Sequence, residues 1–178
     1  MTVYVVLFRG VGGATQLPVK PLREQLSAAG FENVVTYINS GNAVVRSALS
    51  PDRAVALIAE ICAREFAFQK PIYTPTAAEW DALIANNPFP GAVSEPKSVH
   101  AAWLAAEPEP ADVDTVRSFA VDGEGIEVAG NVAYLHTPHG FGRSKMADMF
   151  DKRIGVPNTA RNWRTVLALQ DLAREAAG

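Results

Sequence analysis

Three glycine-bearing turns carry the side chains with chemistry to offer. The first is Arg9-Gly10-Val11-Gly12-Gly13, which leads from an apolar run toward a helical segment. Backbone amides freed by such a loop can surround an anion while Arg9 supplies positive charge. It is not a nucleotide fingerprint: Thr15 stands where the dinucleotide motif needs a third glycine, and no Gly-Lys-Ser/Thr follows. The second turn, Asn39-Ser40-Gly41-Asn42, offers Ser40 and Asn42 as hydrogen-bonding side chains, although Asn, Ser and Gly are also what a tight hairpin uses. The third, Gly140-Phe141-Gly142-Arg143-Ser144-Lys145, enters a helix with Ser144 at the capping position. Two flexible residues, free first-turn N–H groups and the cations Arg143 and Lys145 coincide there, which is the pattern of a phosphate or carboxylate pocket.

Charge narrows the partners. Sixteen Lys plus Arg against nineteen Asp plus Glu give the 178-residue chain a net charge of -3, so bulk charge does not recommend nucleic acid. Residues 143–164, however, carry six cations and two anions, a net +4 that leaves -7 on the rest of the chain. A local basic patch thus sits on an acidic body. Within it, Arg161-Asn162-Trp163-Arg164 reads as the opening of the last helix, with Arg161 and Asn162 in its first turns and Trp163 drawn into the core by Val166 and Leu167. The histidines His100, His136 and His139 have no Cys or Glu at ligand spacing, so neither a metal nor a cofactor is expected. Cys62 falls on an apolar helix face, no Gly-x-Ser-x-Gly elbow exists, and Asp148 and Asp151 pair naturally with Lys145 and Lys152 on a helix surface.

The elements that must position these residues follow from periodicity. With 48% hydrophobic and 20% charged residues the composition is that of an ordinary globular protein and excludes disorder and collagen. Residues 2–8 form a nearly continuous apolar, β-branched run, a strand covered on both faces. Val19, Leu22, Leu26 and Ala29 lie at helical spacing before Gly30, and two β-rich runs at 33–38 and 43–46 flank the Asn39–Asn42 turn as a hairpin. Ser50-Pro51-Asp52 opens a helix lined by Val55, Ile58, Cys62 and Phe66; residues 69–73 read as a strand, and Thr76 caps a helix to residue 85. The order β-α-β-β-α-β is the ferredoxin-like arrangement, so the fold class is α+β. Prolines at 88, 90 and 96 mark residues 88–97 as a connector between a first lobe, 1–87, and a second, 98–178. The second lobe reads as a strand at 99–105, a helix at 111–119, a hairpin over 125–136 and a helix at 144–153. It is a partial echo of the first lobe, followed by an extra C-terminal helix capped by Thr159.

Phe8-Arg9-Gly10, Tyr37-Ile38-Asn39-Ser40-Gly41-Asn42, Asn87-Pro88-Phe89, Tyr134-Leu135-His136, Gly142-Arg143-Ser144-Lys145 and Ala160-Arg161-Asn162-Trp163 together resemble the bacterial domain-of-unknown-function 1697 family. The resemblance implies an α+β bacterial protein and no particular activity. Compared with the family's usual first loop, this one is about two residues shorter and lacks its lysines.

The functional expectation is a binding module. Arg9, Ser40, Asn42, Arg143, Ser144, Lys145, Arg161 and Asn162 would converge between the lobes on a small anionic ligand bearing phosphate or resembling a nucleotide. Two rivals from other classes stand beside it: a single-stranded nucleic-acid binder using Trp163 as a stacking face, and a phosphoryl- or acyl-transfer enzyme with Asp148 as base. The lone cysteine, the absence of a basic leader at Met1-Thr2-Val3-Tyr4 and the lack of any long apolar run point to a cytoplasmic protein with no membrane partner.

Overall fold

A computed structural model describes residues 1–37 and 41–178. The chain divides into two compact units, Met1–Ala82 with Ala168–Gly178, and Leu83–Leu167.

In the first unit, β1 (Thr2–Phe8), α1 (Val19–Ala28), β2 (Glu32–Tyr37), β3 (Asn42–Ser47), α2 (Pro51–Phe66) and β4 (Ile72–Tyr73) build an antiparallel sheet ordered β2-β3-β1-β4. Alternation sends Tyr4, Val6 and Phe8 of β1 toward α1 and α2, where they pack with Leu22, Leu26, Ile58, Ile61 and Cys62. The opposite face is dry as well, with Val5 at 0% and Leu7 at 1% exposure, so β1 is the doubly covered strand its apolar run predicts. Residues 69–73 yield only the two-residue β4. Pro71 and Pro75 lack the N–H a ladder needs, although Val5 still donates to the Pro75 carbonyl at 2.8 Å. α3 (Ala77–Ala85) starts with a capping box: the Glu79 amide donates to Thr76 Oγ1 at 3.2 Å and the Thr76 amide to Glu79 Oε2 at 2.7 Å.

In the second unit, β5 (Val99–Leu104), α4 (Pro110–Arg117), β6 (Gly125–Ala129), β7 (Val132–His136), α5 (Lys145–Arg153) and β8 (Asn158–Asn162) repeat the same order of elements. The sheet reads β6-β7-β5-β8, strand for strand the topology of the first. The echo is therefore complete in topology. Ala102, Leu104, Ile126, Ala133 and Leu135 face Val113 and Val116 of α4 and Met146 and Phe150 of α5.

The completing strand corrects the reading of residues 159–162 as helix. Thr159, Arg161 and Asn162 pair with Trp103, Ala101 and His100 along β5, because β5 would otherwise present an unpaired edge. α6 (Trp163–Ala177) begins later, and its cap is Asn162 rather than Thr159, with the Thr165 amide donating to Asn162 Oδ1 at 3.0 Å. Its buried stripe is Trp163, Val166, Leu169, Ala173 and Ala176, while Leu167, expected among the apolar residues, is 40% exposed. The C-terminal half of α6 belongs to the first unit: Asn33 Nδ2 donates to the Ala176 carbonyl at 2.9 Å, and Arg174 lies 3.7 Å from Asp81.

Candidate functional site

The eight candidate residues divide between the units. Arg9, Ser40 and Asn42 belong to the first, and Arg143, Ser144, Lys145, Arg161 and Asn162 to the second. Ser40 lies outside the described residues.

At one end of the first sheet the segment after β1 meets Gly41, the residue just before β3. The Phe8 amide donates to the Gly41 carbonyl at 2.8 Å. A Cβ on Gly41 would lie 2.6 Å from Val11 Cγ2 and 2.9 Å from the Phe8 carbonyl, and its φ is +83°, so this glycine is required by close approach of the two loops. Asn42, 2% exposed and opposite Leu7 in register, donates from Nδ2 to the Tyr37 carbonyl at 3.3 Å. Its amide thus holds the hairpin together. Arg9 is partly exposed and its amide donates to Pro71 at 3.0 Å, which lays it along the segment containing Lys70 and Tyr73. Sequence reading passed over both of these neighbours. Tyr73 pairs with Leu7, and its hydroxyl is buried with no hydrogen-bond partner among the described residues. Burial raises its pKa and the Arg9 charge pulls it back.

In the second unit, Ser144 does what its position predicts: its hydroxyl accepts from the Ala147 amide at 3.0 Å and caps α5. Helix geometry leaves the amides of Lys145 and Met146 without acceptors inside α5. Arg143 is exposed and has no ion-pair partner among the described residues. The Lys145 ammonium sits 5.9 Å from the centre of the Phe119 ring. Arg161 does not join this group, because the β8 register puts it with Thr159 on the sheet face turned away from α4 and α5. There Nη1 donates to Thr159 Oγ1 at 2.6 Å and to the Ala160 carbonyl at 2.8 Å. Asn162 is spent on capping α6.

His100, weighed from the sequence only as a metal ligand, instead supports the glycine turn. It lies opposite Asn162 and Leu135 on the helix-covered face and stacks on Phe141 of the glycine turn, ring centres 3.9 Å apart. Burial lowers its pKa from 6.5 to about 4, so at neutral pH it is an uncharged ring supporting the turn and not a cation. The alternation of β5, with Ala102 and Leu104 inward, is the signal that places it.

The rival chemistries fare less well on geometry. Trp163 is 3% exposed and has no stacking face to offer. Neither sheet presents an open platform, since Val5 and Leu7 are buried on the face away from α1 and α2, and Val99, Ala101 and Tyr134 on the face away from α4 and α5. Asp148 is ion-paired with Lys152 at 2.8 Å on the helix surface. Cys62 is buried and its thiol is pushed up to about 12 by desolvation. A cleft of about 310 Å³ lined by Ser94, Glu95, Ser98 and His136 carries a carboxylate and no Lys or Arg, the wrong polarity for an anion. Among the described residues no group of three His, Cys, Asp or Glu side chains could hold a metal, and no helix is long and apolar enough to cross a membrane.

Against known families, residues 1–134 match the model described as a protein of unknown function, DUF1697. The chain belongs to that family. Over 97% of the DUF1697 chain and 98% of the other, it is similar to a conserved bacterial protein from Streptococcus pneumoniae, with a TM-score of 0.72 at 22% identity. At that identity the likeness shows the shared fold alone. No curated protein matches the chain. The family model stops short of Arg143, so the glycine turn before α5 stands on its own chemistry.

Proposed function

We propose that this DUF1697 chain is a binding module for a small anionic ligand bearing a phosphate group or resembling a nucleotide, held at the turn that enters α5. The observation that carries the reading is the exposed guanidinium of Arg143, which has no ion-pair partner among the described residues and stands just before the first turn of α5, where the Lys145 and Met146 amides have no acceptor inside the helix. A helix N-terminus favours an anion through its partial positive charge and aligned N–H groups, and an adjacent guanidinium adds a planar fork matched to phosphate oxygens. Gly140, at φ +107°, lets the backbone turn sharply enough to bring the 141–143 segment over the helix end. Support from Phe141 on His100 fixes that segment without introducing a competing charge.

The test is a thermal-shift panel of nucleotides and sugar phosphates on the wild type and on Arg143→Ala combined with Lys145→Ala. A ligand present at one hundred times its Kd stabilises the fold by about 2.7 kcal/mol. That gain is expected in the wild type and lost in the double variant. A gain of equal size in both proteins would remove the site.

A further inference from the structure

The second unit holds a cleft that an anion would not use. It has a volume of about 310 Å³ and opens where the turns Pro90–Ala92 and Pro96–Ser98 meet the end of β7, lined by Ala92, Ser94, Glu95, Ser98, His136 and Pro138. That volume is at the low end of the roughly 300–1,000 Å³ of small-molecule sites. Leu135 faces α4 and α5, so alternation along β7 puts His136 on the opposite face of the sheet, beside Val99 in register. The cleft and the turn entering α5 are therefore on different faces.

Local contacts hold its lining in place. The Phe89 ring packs against His136, ring centres 5.5 Å apart, and lies 3.3 Å from where a Cβ on Gly125, the strand partner of His136, would be. The Phe89 amide in turn donates to Asn87 Oδ1 at 2.9 Å. Ser98 is occupied with the Glu95 backbone, its hydroxyl donating to that carbonyl at 2.7 Å and its amide at 2.8 Å. The side chains of Ser94, Glu95 and His136, by contrast, make no hydrogen bond or ion pair among the described residues.

Charge decides the class of ligand. Glu95 brings a carboxylate, no Lys or Arg lines the cleft, and Lys97, two residues on, makes no ion pair with Glu95. A Cβ on Gly123 would lie 3.2 Å from Pro138 Cγ, so the turn packed on that wall adds Asp122 and not a cation. A carboxylate, a hydroxyl and an imidazole nitrogen can all accept hydrogen bonds, while Ala92 and Pro138 offer apolar surface. What is missing is a positively charged donor on an apolar body. We infer that this cleft binds a small organic ammonium ion, its N–H groups donating to the Glu95 carboxylate, with Ser94 and His136 as further acceptors and its body against Ala92 and Pro138. The site goes beyond the anion site at α5 and does not depend on it.

Three probes of similar shape and different charge test it: benzylammonium, benzyl alcohol and benzoate. Each is titrated into the intact, isotopically labelled protein while NMR follows the Ala92 and Val99 amides and the His136 ring. Benzylammonium is expected to shift these signals saturably, and benzoate to leave them unmoved. Benzyl alcohol should bind roughly fivefold more weakly than benzylammonium, the upper end for an ion pair open to water on one side. Glu95→Gln should weaken benzylammonium by a similar factor and melt with the wild type, because that carboxylate holds nothing in the fold. Arg143→Ala should bind benzylammonium as the wild type does. Signals that ignore benzylammonium, equal affinity for benzyl alcohol or benzoate, or unchanged affinity in Glu95→Gln would overturn the inference. Inorganic phosphate added to the same samples is read at the Lys145 and Met146 amides, so failure of one site is distinguished from failure of the other.

Discussion

At His100, burial and the Phe141 ring keep water from an imidazole whose Nδ1 has no partner among the described residues, and the pKa falls from 6.5 to about 4. The unfolded chain then takes up a proton before the folded one does. Stability that is complete above pH 6.5 is lost as the pH falls toward 4 and changes no further below it. The loss is at most about 3 kcal/mol. Urea unfolding at pH 7, 5 and 4 should show this decline in the wild type and a flatter profile in His100→Phe; equal declines would place the acid sensitivity elsewhere. Val99-His100-Ala101 by itself does not tell a histidine on a buried face from one in water; only the alternation carried on to Ala102 and Leu104 places it. Cys62 was readable for the opposite reason: Ile58, Cys62 and Phe66 repeat at helical spacing, and that stripe can only face a core.

Among the elements, Gly41 and Asn42 show how residues of a polar motif can be mainly structural. Gly41 sits at φ +83° with Phe8 and Val11 packed where its Cβ would be. Gly41→Ala therefore combines left-handed strain with overpacking and should cost about 2–4 kcal/mol in chemical denaturation. A loss below about half a kcal/mol would mean the two loops can separate freely. The last helix shows the limit of local reading in another way. Asn158-Thr159-Ala160-Arg161-Asn162 has no strong period, and the segment becomes a strand because β5 has an open edge to fill, a fact of topology and not of composition. Once that strand is in place, Arg161 turns away from α5 and the apparent cluster of cations in the sequence separates. The cap at Ser144 was legible because its chemistry is local, a hydroxyl and an amide three residues apart.

For the whole molecule, two units of identical strand order account for why the sequence shows an echo without a repeat. Topology is set by which faces must be dry, and many side chains satisfy that equally. The first unit is closed by residues distant in sequence, since Leu169, Ala173 and Ala176 of α6 are buried and Asn33 holds the Ala176 carbonyl. Deleting Ala168–Gly178 should destabilise this unit by several kcal/mol, on the order of the burial of those side chains. It should also turn Cys62, inert in the intact fold, into a thiol that reacts readily with a disulfide reagent; unchanged labelling would show that the sheet and its two helices suffice. The central claim is that an oxyanion belongs at the turn entering α5. A crystal soaked in selenate and measured at the selenium edge addresses it most directly. The expected result is an anomalous peak about 3 Å from the amides of Lys145 and Met146 and against the Arg143 guanidinium; a map with no peak there, while selenate binds elsewhere on the molecule, would contradict it.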